Sequence, residues 1–165
     1  MNENIKARRG RPVNEALHQT IVDAACDLFI ELGFQATTMD KVARRAQISK
    51  LSIYKHFENK EALFSAAIAV RCKAFAPDAL FSGAKGTAED QLLAVALTLL
   101  KLLLSPDVVS VKTMIMADKT NQAHLSRLFY EAGPAQFITQ IETLLCQLHA
   151  SEALSVPSPR QSARL

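Results

Sequence analysis

Several residue types are scarce in this 165-residue chain, and each scarcity argues against a class of protein. There is no Trp, and the three cysteines, Cys26, Cys72 and Cys146, lie far apart. An odd, dispersed set predicts neither a disulfide framework nor a zinc site, so we expect buried free thiols in a reducing compartment. No metal-ligand cluster, glycine-rich phosphate loop or nucleophile elbow occurs in the sequence. We therefore predict no catalytic residues, metal or cofactor, and a small helical enzyme is the weakest interpretation.

Long hydrophobic runs are also missing. The most apolar segment, residues 92–104, is interrupted by Thr98 and Lys101 and is too short to span a bilayer. The charged N-terminus has no apolar run behind it, so no signal peptide is predicted. Apolar residues make up 49% and charged residues 21% of the chain, which is a globular composition. We expect a soluble cytoplasmic protein without membrane contact.

The most informative segment is residues 37–57, with the sequence TTMDKVARRAQISKLSIYKHF. Two short amphipathic helices fit it, with a turn at Gln47 and Ile48. Ser49 is a good N-cap for the second helix, and Ile48 and Ile53 occupy the two positions of a hydrophobic staple. This spacing predicts a helix-turn-helix.

The cap at Ser49 determines which residues of the second helix, predicted over 50–57, point outward. At about 100° per residue, Ile53 and Phe57 point into the core. The outer face then carries an apolar side chain, a hydroxyl, a phenol and a cation, from Leu51, Ser52, Tyr54 and Lys55. Side chains of these kinds read base edges and contact phosphates in a major groove. The segment therefore predicts DNA binding, and an ordinary helical corner in an all-α domain is the alternative.

Positive charge is concentrated in the same part of the chain. Residues 1–60 contain ten Lys and Arg against seven Asp and Glu, whereas residues 61–165 contain nine of each. Such an excess attracts a polyanion. Residues 1–13 lack periodicity, and we predict a flexible basic arm in which Arg9-Gly10-Arg11-Pro12 resembles the core of an AT-hook. Arg9 and Arg11 would enter a narrow minor groove, and a merely solubilising tail is the alternative.

Helical periodicity extends through most of the chain. A first helix is predicted over residues 14–32 and closed by Gly33, Thr37 or Thr38 caps the second, and Asn59 caps the fourth. Later helices are predicted at residues 88–104, 107–118, 122–132 and 134–150. The helix over 88–104 is apolar nearly all round, so we expect it at the buried centre of a bundle. Residues 151–165 contain two prolines and several serines and predict a disordered tail.

The predicted first helix and the sequence GFQATTMDKVARRAQISKLSIYKHFENKEALFSAAI resemble the DNA-binding domain of the tetracycline-repressor (TetR/AcrR) family of bacterial transcriptional regulators. The resemblance covers about residues 14–70. It rests on Gly33-Phe34, Thr37-Thr38, Ser49-Lys50, Tyr54-x-His56-Phe57 and Lys60-Glu61-x-Leu63. It implies an all-α protein with a three-helix DNA-binding domain over 14–60 and a helical effector-binding and dimerisation domain over 61–150.

The resemblance also implies roles for individual residues. Phosphate contacts are expected at Thr38, Tyr54, His56 and Lys60, and base contacts at Lys50, Leu51 and Ser52. An ordinary exposed histidine at a helix end is the alternative for His56. Gln47 and Leu51 stand where the family often has Gly. The bulky Leu51 would meet a thymine methyl and change which operator is read.

The C-terminal part of such proteins binds a small effector between helices. Five residues are candidates to line that cavity, and filling the core is the alternative for each: Phe75, Met114, Met116, His124 and Phe129. Only the helix over 134–150 is present where the family has two long dimerisation helices, so we expect a shortened C-terminal domain. The resemblance implies a homodimeric repressor that leaves a palindromic operator when it binds its effector. A non-specific architectural DNA-binding protein is the second interpretation.

Overall fold

The computed structural model describes residues 11–75, 80–81 and 86–164, with side chains from residue 15 onward. The described residues form nine helices and no strand, which confirms the all-α class. In chain order these are α1 (Arg11–Ala36), α2 (Met39–Arg45), α3 (Lys50–His56), α4 (Lys60–Phe75), α5 (Ala88–Leu103), α6 (Pro106–Ala117), α7 (Gln122–Ala132), α8 (Pro134–Ala150) and α9 (Pro159–Ser162).

The helix α1 is interrupted at Gly33, as the sequence predicts. Gly33 has φ 80° and ψ 170°, a conformation that glycine adopts without steric penalty. The hydroxyl of the buried Thr37 donates to the carbonyl oxygens of Leu28 at 2.9 Å and Gly33 at 2.8 Å. The two carbonyl oxygens share the single hydroxyl hydrogen, and these contacts hold the residue just before the α2 cap against the end of α1.

The larger of two hydrophobic cores joins the first four helices to α6 and α7. Its aromatic centre consists of Phe29, Phe34 and Phe64, whose ring centroids lie 5.3 to 5.7 Å apart. Ile53 from α3 is fully buried in the same core, as its predicted inward orientation requires. The helix-turn-helix is therefore held rigidly against α1 and α4.

The smaller core lies between α5 and α8. It contains Phe81, Val95, Phe137, Leu144 and Leu148, with the two phenylalanine rings in an edge-to-face contact at 5.3 Å. The prediction that α5 is the buried centre of a bundle is wrong. Only Val95 and Leu102 are buried on α5, and several of its leucines are exposed to solvent. A sequence that is apolar on every side does not specify which side is covered.

The segment after α8 folds back on it, in contrast to the predicted disordered tail. Val156 is buried, and its amide donates to Nδ1 of His149 at 3.2 Å. Arg160 on α9 forms an ion pair with Glu142 on α8 at 2.8 Å. Burial of one apolar side chain and these polar contacts order the segment despite its composition.

The cysteines differ in exposure. Cys26 is buried and Cys72 is half-buried, but Cys146 is exposed, so the expectation of three buried thiols is wrong for Cys146. Cys146 lies between the buried Leu145 and Leu148 in sequence, but on the outer side of α8.

No single helix among the described residues is both long and apolar enough to cross a membrane. Helices α5 and α6 meet that test only as a pair, by length and composition, and they are bent by 53° at the break between them.

Candidate DNA-binding surface

The turn between α2 and α3 is a Schellman motif centred on Gln47. The amide of Ile48 donates to the carbonyl of Ala43 at 2.9 Å, and the amide of Gln47 donates to that of Arg44 at 3.2 Å. This pattern requires a left-handed backbone at the first of the two donors, and Gln47 has φ 55°. A glutamine therefore occupies a position that favours glycine.

The start of α3 is capped as predicted. Ser49 has an extended backbone, and its Oγ accepts from the amide of Ser52 at 3.1 Å. The two serine hydroxyls are also within hydrogen-bond distance, at 2.9 Å. Asn59 plays the same part for α4, since its Oδ1 accepts from the amide of Ala62 at 2.8 Å. The Ser49 cap fixes where α3 begins, and the Asn59 cap does so for α4.

The outward face of α3 is open to solvent. Leu51 is 67% exposed and Tyr54 is 46% exposed, while Lys55 is also exposed and Ser52 is half-buried. No other described element covers Leu51 or Tyr54, so both side chains are accessible to a partner. An exposed leucine beside a phenol and a cation is a surface suited to a major groove.

Lys50 has a partner that the sequence did not indicate. Its Nζ lies 3.0 Å from Oδ1 of Asp40 and donates a hydrogen bond to Oδ2 at 3.1 Å, and this ion pair raises the pKa of Lys50. The two residues are ten positions apart, on α2 and α3, so local spacing gives no sign of the contact. Both side chains remain largely exposed, and such pairs are weak and screened by salt. A phosphate or a base edge can therefore replace Asp40 as the partner of Lys50.

The structure places Lys60 against the turn that precedes α2. Its Nζ donates to the carbonyl of Phe34 at 2.8 Å and lies 4.2 Å from the centroid of the Phe34 ring. Burial lowers the pKa of Lys60. In this conformation the ammonium group ties the first turn of α4 to the end of α1, a role that sequence reasoning did not predict.

The other predicted phosphate contacts lie around α3. Thr38 is exposed and caps α2, with its hydroxyl accepting from the amide of Lys41 at 3.2 Å. His56, at the end of α3, is half-buried, and its ring centroid lies 6.1 Å from that of His18 on α1. With Tyr54, these groups belong to the surface formed by α2, α3 and the adjoining end of α1.

The basic arm is only partly described. Arg9 lies outside the described residues, as does the side chain of Arg11. The backbone of Arg11 and Pro12 is already helical, because α1 begins at Arg11 rather than at the predicted Asn14. These two residues therefore do not have the extended conformation that an AT-hook core requires.

The five candidate effector residues do not line one cavity. Phe129 lines a small apolar cavity, and Met114 lines a separate open groove between the end of α1 and α6. Met116 is 66% exposed, Phe75 is exposed at the end of α4, and His124 is exposed near Arg127. Helical spacing identified apolar or aromatic positions but not the direction in which each faces.

The small cavity lies where α1, α4, α6 and α7 meet. It has a volume of about 30 Å³, and its apolar walls include Phe29, Ile68, Val111 and Phe129. At its edge Arg71 forms an ion pair with Asp107 at 3.5 Å. The cavity therefore combines apolar walls with one charged pair, at the junction between the DNA-binding helices and the rest of the chain.

Comparison with known proteins assigns this architecture to a family. Residues 21–67 match the profile of bacterial regulatory proteins of the tetR family, and residues 90–165 match the C-terminal domain of AefR-like transcriptional repressors. YdeS, an HTH-type transcriptional regulator of Bacillus subtilis (strain 168), is 49% identical over 59 residues, which are 36% of this chain. That match spans only 30% of the length of YdeS.

Two solved structures match most of the chain. The flavonoid-responsive regulator FrrA is 30% identical with a TM-score of 0.69, and the match covers 91% of this chain and 76% of FrrA. A TetR-family regulator from Mesorhizobium loti MAFF303099 has a TM-score of 0.71 at 24% identity, with 92% of this chain and 77% of that chain covered. The family profiles match both halves of the chain, and α3 is capped with an open outer face. The protein therefore belongs to the TetR family of transcriptional regulators.

Proposed function

We propose that this protein is a sequence-specific DNA-binding repressor that binds a palindromic operator as a homodimer and is released by a small-molecule effector. The exposed face of α3, with Leu51 and Tyr54 uncovered on a rigid support, carries the proposal. The excess of basic residues in the first 60 positions supports it, because that excess lies in the same part of the chain. The match to the C-terminal domain of AefR-like repressors supports repression rather than activation.

The proposed contacts divide into two groups. Thr38, Tyr54 and His56 contact phosphates and set the position of α3 on the duplex. Lys50, Leu51, Ser52 and Lys55 face the bases, with Lys50 exchanging Asp40 for DNA. Arg9, which precedes α1 in the sequence, would add a contact to the neighbouring minor groove.

We assign Lys60 an indirect part in DNA binding. Its ammonium group is hydrogen-bonded to the carbonyl of Phe34, so it positions the turn that leads into α2. A contact with phosphate would require this bond to break.

The effector is proposed to act at the cavity between α1, α4, α6 and α7. At about 30 Å³ it has room for only one or two waters, whereas ligand sites usually measure about 300 to 1,000 Å³. An effector must therefore separate α4 from its neighbours. Ile68 and Arg71 of α4 line the cavity, and Lys60 at the start of the same helix contacts Phe34. A shift of α4 would thus be transmitted to the helix-turn-helix.

Such a shift would weaken operator binding through geometry. A dimer needs its two recognition helices about 34 to 36 Å apart, one turn of DNA. An effector that binds more tightly to a dimer with a different separation shifts the population toward that state. Operator affinity then falls by the ratio of the effector's affinities for the two states. FrrA is described as flavonoid-responsive, which makes flavonoids a reasonable first set of compounds to test on this chain.

The test is a titration of operator affinity with and without candidate effectors, in competition with random duplex. A specific repressor prefers its own site by about 10³-fold or more, and a bound effector should reduce that preference. Phe129→Trp, which fills the cavity, should abolish the response to effector without changing affinity for the operator in its absence. Equal affinity for operator and random duplex would instead indicate the architectural alternative.

A further inference from the structure

Asp40 and Lys50 place opposite charges side by side on the surface formed by α2 and α3. The Nζ of Lys50 donates to Oδ2 of Asp40 at 3.1 Å and lies 3.0 Å from Oδ1. The side chain of Lys50 is 65% exposed and that of Asp40 is 47% exposed, so a partner can reach both. Asp40 lies in the first turn of α2 and Lys50 is the first residue of α3, with the Schellman turn and the Ser49 cap between them. Both side chains therefore start from a fixed backbone.

The contact between the two side chains leaves most of their hydrogen-bonding capacity unused. An ammonium group has three donors, and the bond to Asp40 uses one of them. A carboxylate has about four acceptor sites, and the same bond occupies one. The pair therefore presents a donor and an acceptor side by side to an incoming molecule.

DNA that engaged Lys50 alone would leave the Asp40 carboxylate without its cation beside a polyanion. The carboxylate repels phosphates, and it also repels the carbonyl oxygens that guanine and thymine present in the major groove. Its complementary groups in that groove are amino groups, N4 of cytosine and N6 of adenine. Exchange of the ion pair for DNA therefore costs least where the duplex offers an acceptor to Lys50 and an amino donor to Asp40 at the same place.

The major-groove edge of a G·C pair meets this requirement. O6 of guanine accepts from N4 of cytosine within the base pair, so the two atoms are about 2.9 Å apart. That separation matches the 3.0 Å between Nζ of Lys50 and Oδ1 of Asp40. A second donor of Lys50 can bind N7 of the same guanine.

The other base pairs fit less well. A T·A pair presents the same order of acceptor and donor, through O4 and N6, but it has a methyl group where guanine has N7. The reversed pairs, C·G and A·T, place an amino group opposite Lys50 and a carbonyl oxygen opposite Asp40. Both contacts are then repulsive.

We propose that Asp40 and Lys50 together read one base pair of each operator half-site, with Lys50 on the carbonyl oxygen of guanine and Asp40 on the amino group of the paired cytosine. This inference rests on the DNA binding of the proposed function and names a base pair that is recognised. A lone lysine is long enough to reach guanine on either strand. Asp40 restricts Lys50 to one strand, because the reversed pair places its carbonyl oxygen against the carboxylate. The expected order of preference is G·C, then T·A, with C·G and A·T last.

Affinities for duplexes that differ at single base pairs test this assignment. The starting duplex is the site that the wild-type protein selects from a random pool, and each G·C pair of one half-site is reversed in turn to C·G. Reversal at the position read by Asp40 and Lys50 should weaken binding by about tenfold. Asp40→Ala should reduce that factor to about twofold or less, because the lysine then reaches guanine on either strand. Lys50→Ala should remove the preference at the same position.

Glu58→Ala is the matched control. Glu58 is exposed between α3 and α4, so its removal changes the charge of the DNA-binding domain as much as Asp40→Ala does. The control should retain the wild-type effect of reversal at every position. Circular dichroism of the three variants verifies that they are folded.

Loss of the strand preference at one shared position in Asp40→Ala and Lys50→Ala, but not in Glu58→Ala, would support the assignment. A selected site without a G·C pair would overturn it. So would an Asp40→Ala protein that binds all duplexes more tightly to the same degree and keeps every wild-type preference, because Asp40 would then be only a repelling charge. A wild-type protein that prefers no duplex over random DNA would contradict the proposed function, and this inference with it.

Discussion

The outward faces of α3 and α5 both contain exposed leucine, yet their chemistry differs. On α3, Leu51 is accompanied by the phenol of Tyr54 and the ammonium groups of Lys50 and Lys55. On α5, the exposed face contains leucine after leucine, with charge only at its margins. Base edges and phosphates require hydrogen-bonding groups and cations beside an apolar contact, which the α3 face has and the leucine face of α5 lacks.

The two faces also differ in what lies behind them. Helix α3 has seven residues and is held by a Schellman turn, a serine cap and a core centred on three phenylalanines. Helix α5 has a capping box at Thr87 and Asp90 but rests on a much smaller core. A surface that reads DNA needs a fixed orientation, and the larger core behind α3 supplies it.

The largest expected effect compares the two cores directly. Phe64 is fully buried among Phe29 and Phe34, so Phe64→Ala should lower the free energy of unfolding by about 4 kcal/mol. Phe137 is 8% exposed and contacts one other ring, so Phe137→Ala should cost about 3 kcal/mol, the lower end for such a substitution. Urea denaturation of both variants measures the difference, and equal losses would contradict the ranking of the cores.

The next effect concerns the link between α4 and the turn before α2. Lys60→Met retains the aliphatic stem but removes the hydrogen bond to the carbonyl of Phe34, so stability should fall by about 2 kcal/mol. Lys112→Met, at an exposed position of α6, is the matched control. Operator affinity of Lys60→Met should fall on every sequence alike, because the variant disturbs the support of α3. Wild-type stability in Lys60→Met would show that the bond to Phe34 does not hold α4 to the turn before α2.

Tyr54→Ala tests the phosphate-contacting part of the α3 face. Tyr54 is 46% exposed, so its removal should leave the fold intact and weaken binding to specific and random duplexes alike by about tenfold. Fluorescence anisotropy with both duplexes gives the two constants. A loss confined to the operator would reassign Tyr54 to base recognition.

Leu51→Ala tests the base-reading part of the same face. Loss of an apolar contact to a thymine methyl should change the preference among operator variants by about 1 kcal/mol, roughly fivefold, with little change on random duplex. Affinities for operators that differ at single thymines give the result. Equal losses on all sequences would contradict the division between Leu51 and Tyr54.

The smallest effect is a gain in stability. Gln47 has φ 55°, and Gln47→Gly should relieve backbone strain and stabilise the protein by about 0.5 to 1 kcal/mol. The glycine also increases the entropy of the unfolded chain, which limits the gain. Thermal unfolding measures the change, and a clear destabilisation would show that Gln47 is not strained.

The sequence predicted the local features of the DNA-binding half well. The Ser49 and Asn59 caps, the interruption at Gly33 and the inward orientation of Ile53 follow from neighbours within one or two helical turns. Contacts between distant residues were not predicted, as with Lys50 and Asp40 or Lys60 and Phe34. Their partners come from other helices, and no spacing in the sequence specifies how those helices are placed.

The C-terminal half was less predictable for a related reason. Periodicity locates a covered face only when the other face is polar, and α5 is apolar on both. The same limit applies to the effector candidates, where Met116 is exposed on α6 while Phe129 lines the cavity. The composition of the tail also gave no sign that Val156 would pack on α8.

Selection of bound fragments from a random pool of DNA is the most direct test of the central claim, that the exposed face of α3 reads a specific operator in a dimer. We expect a two-fold symmetric consensus with half-sites about one helical turn apart, and a Leu51→Ala protein should select a changed consensus. A pool that shows no enrichment after repeated selection, or a consensus that the α3 substitution leaves unchanged, would contradict the account.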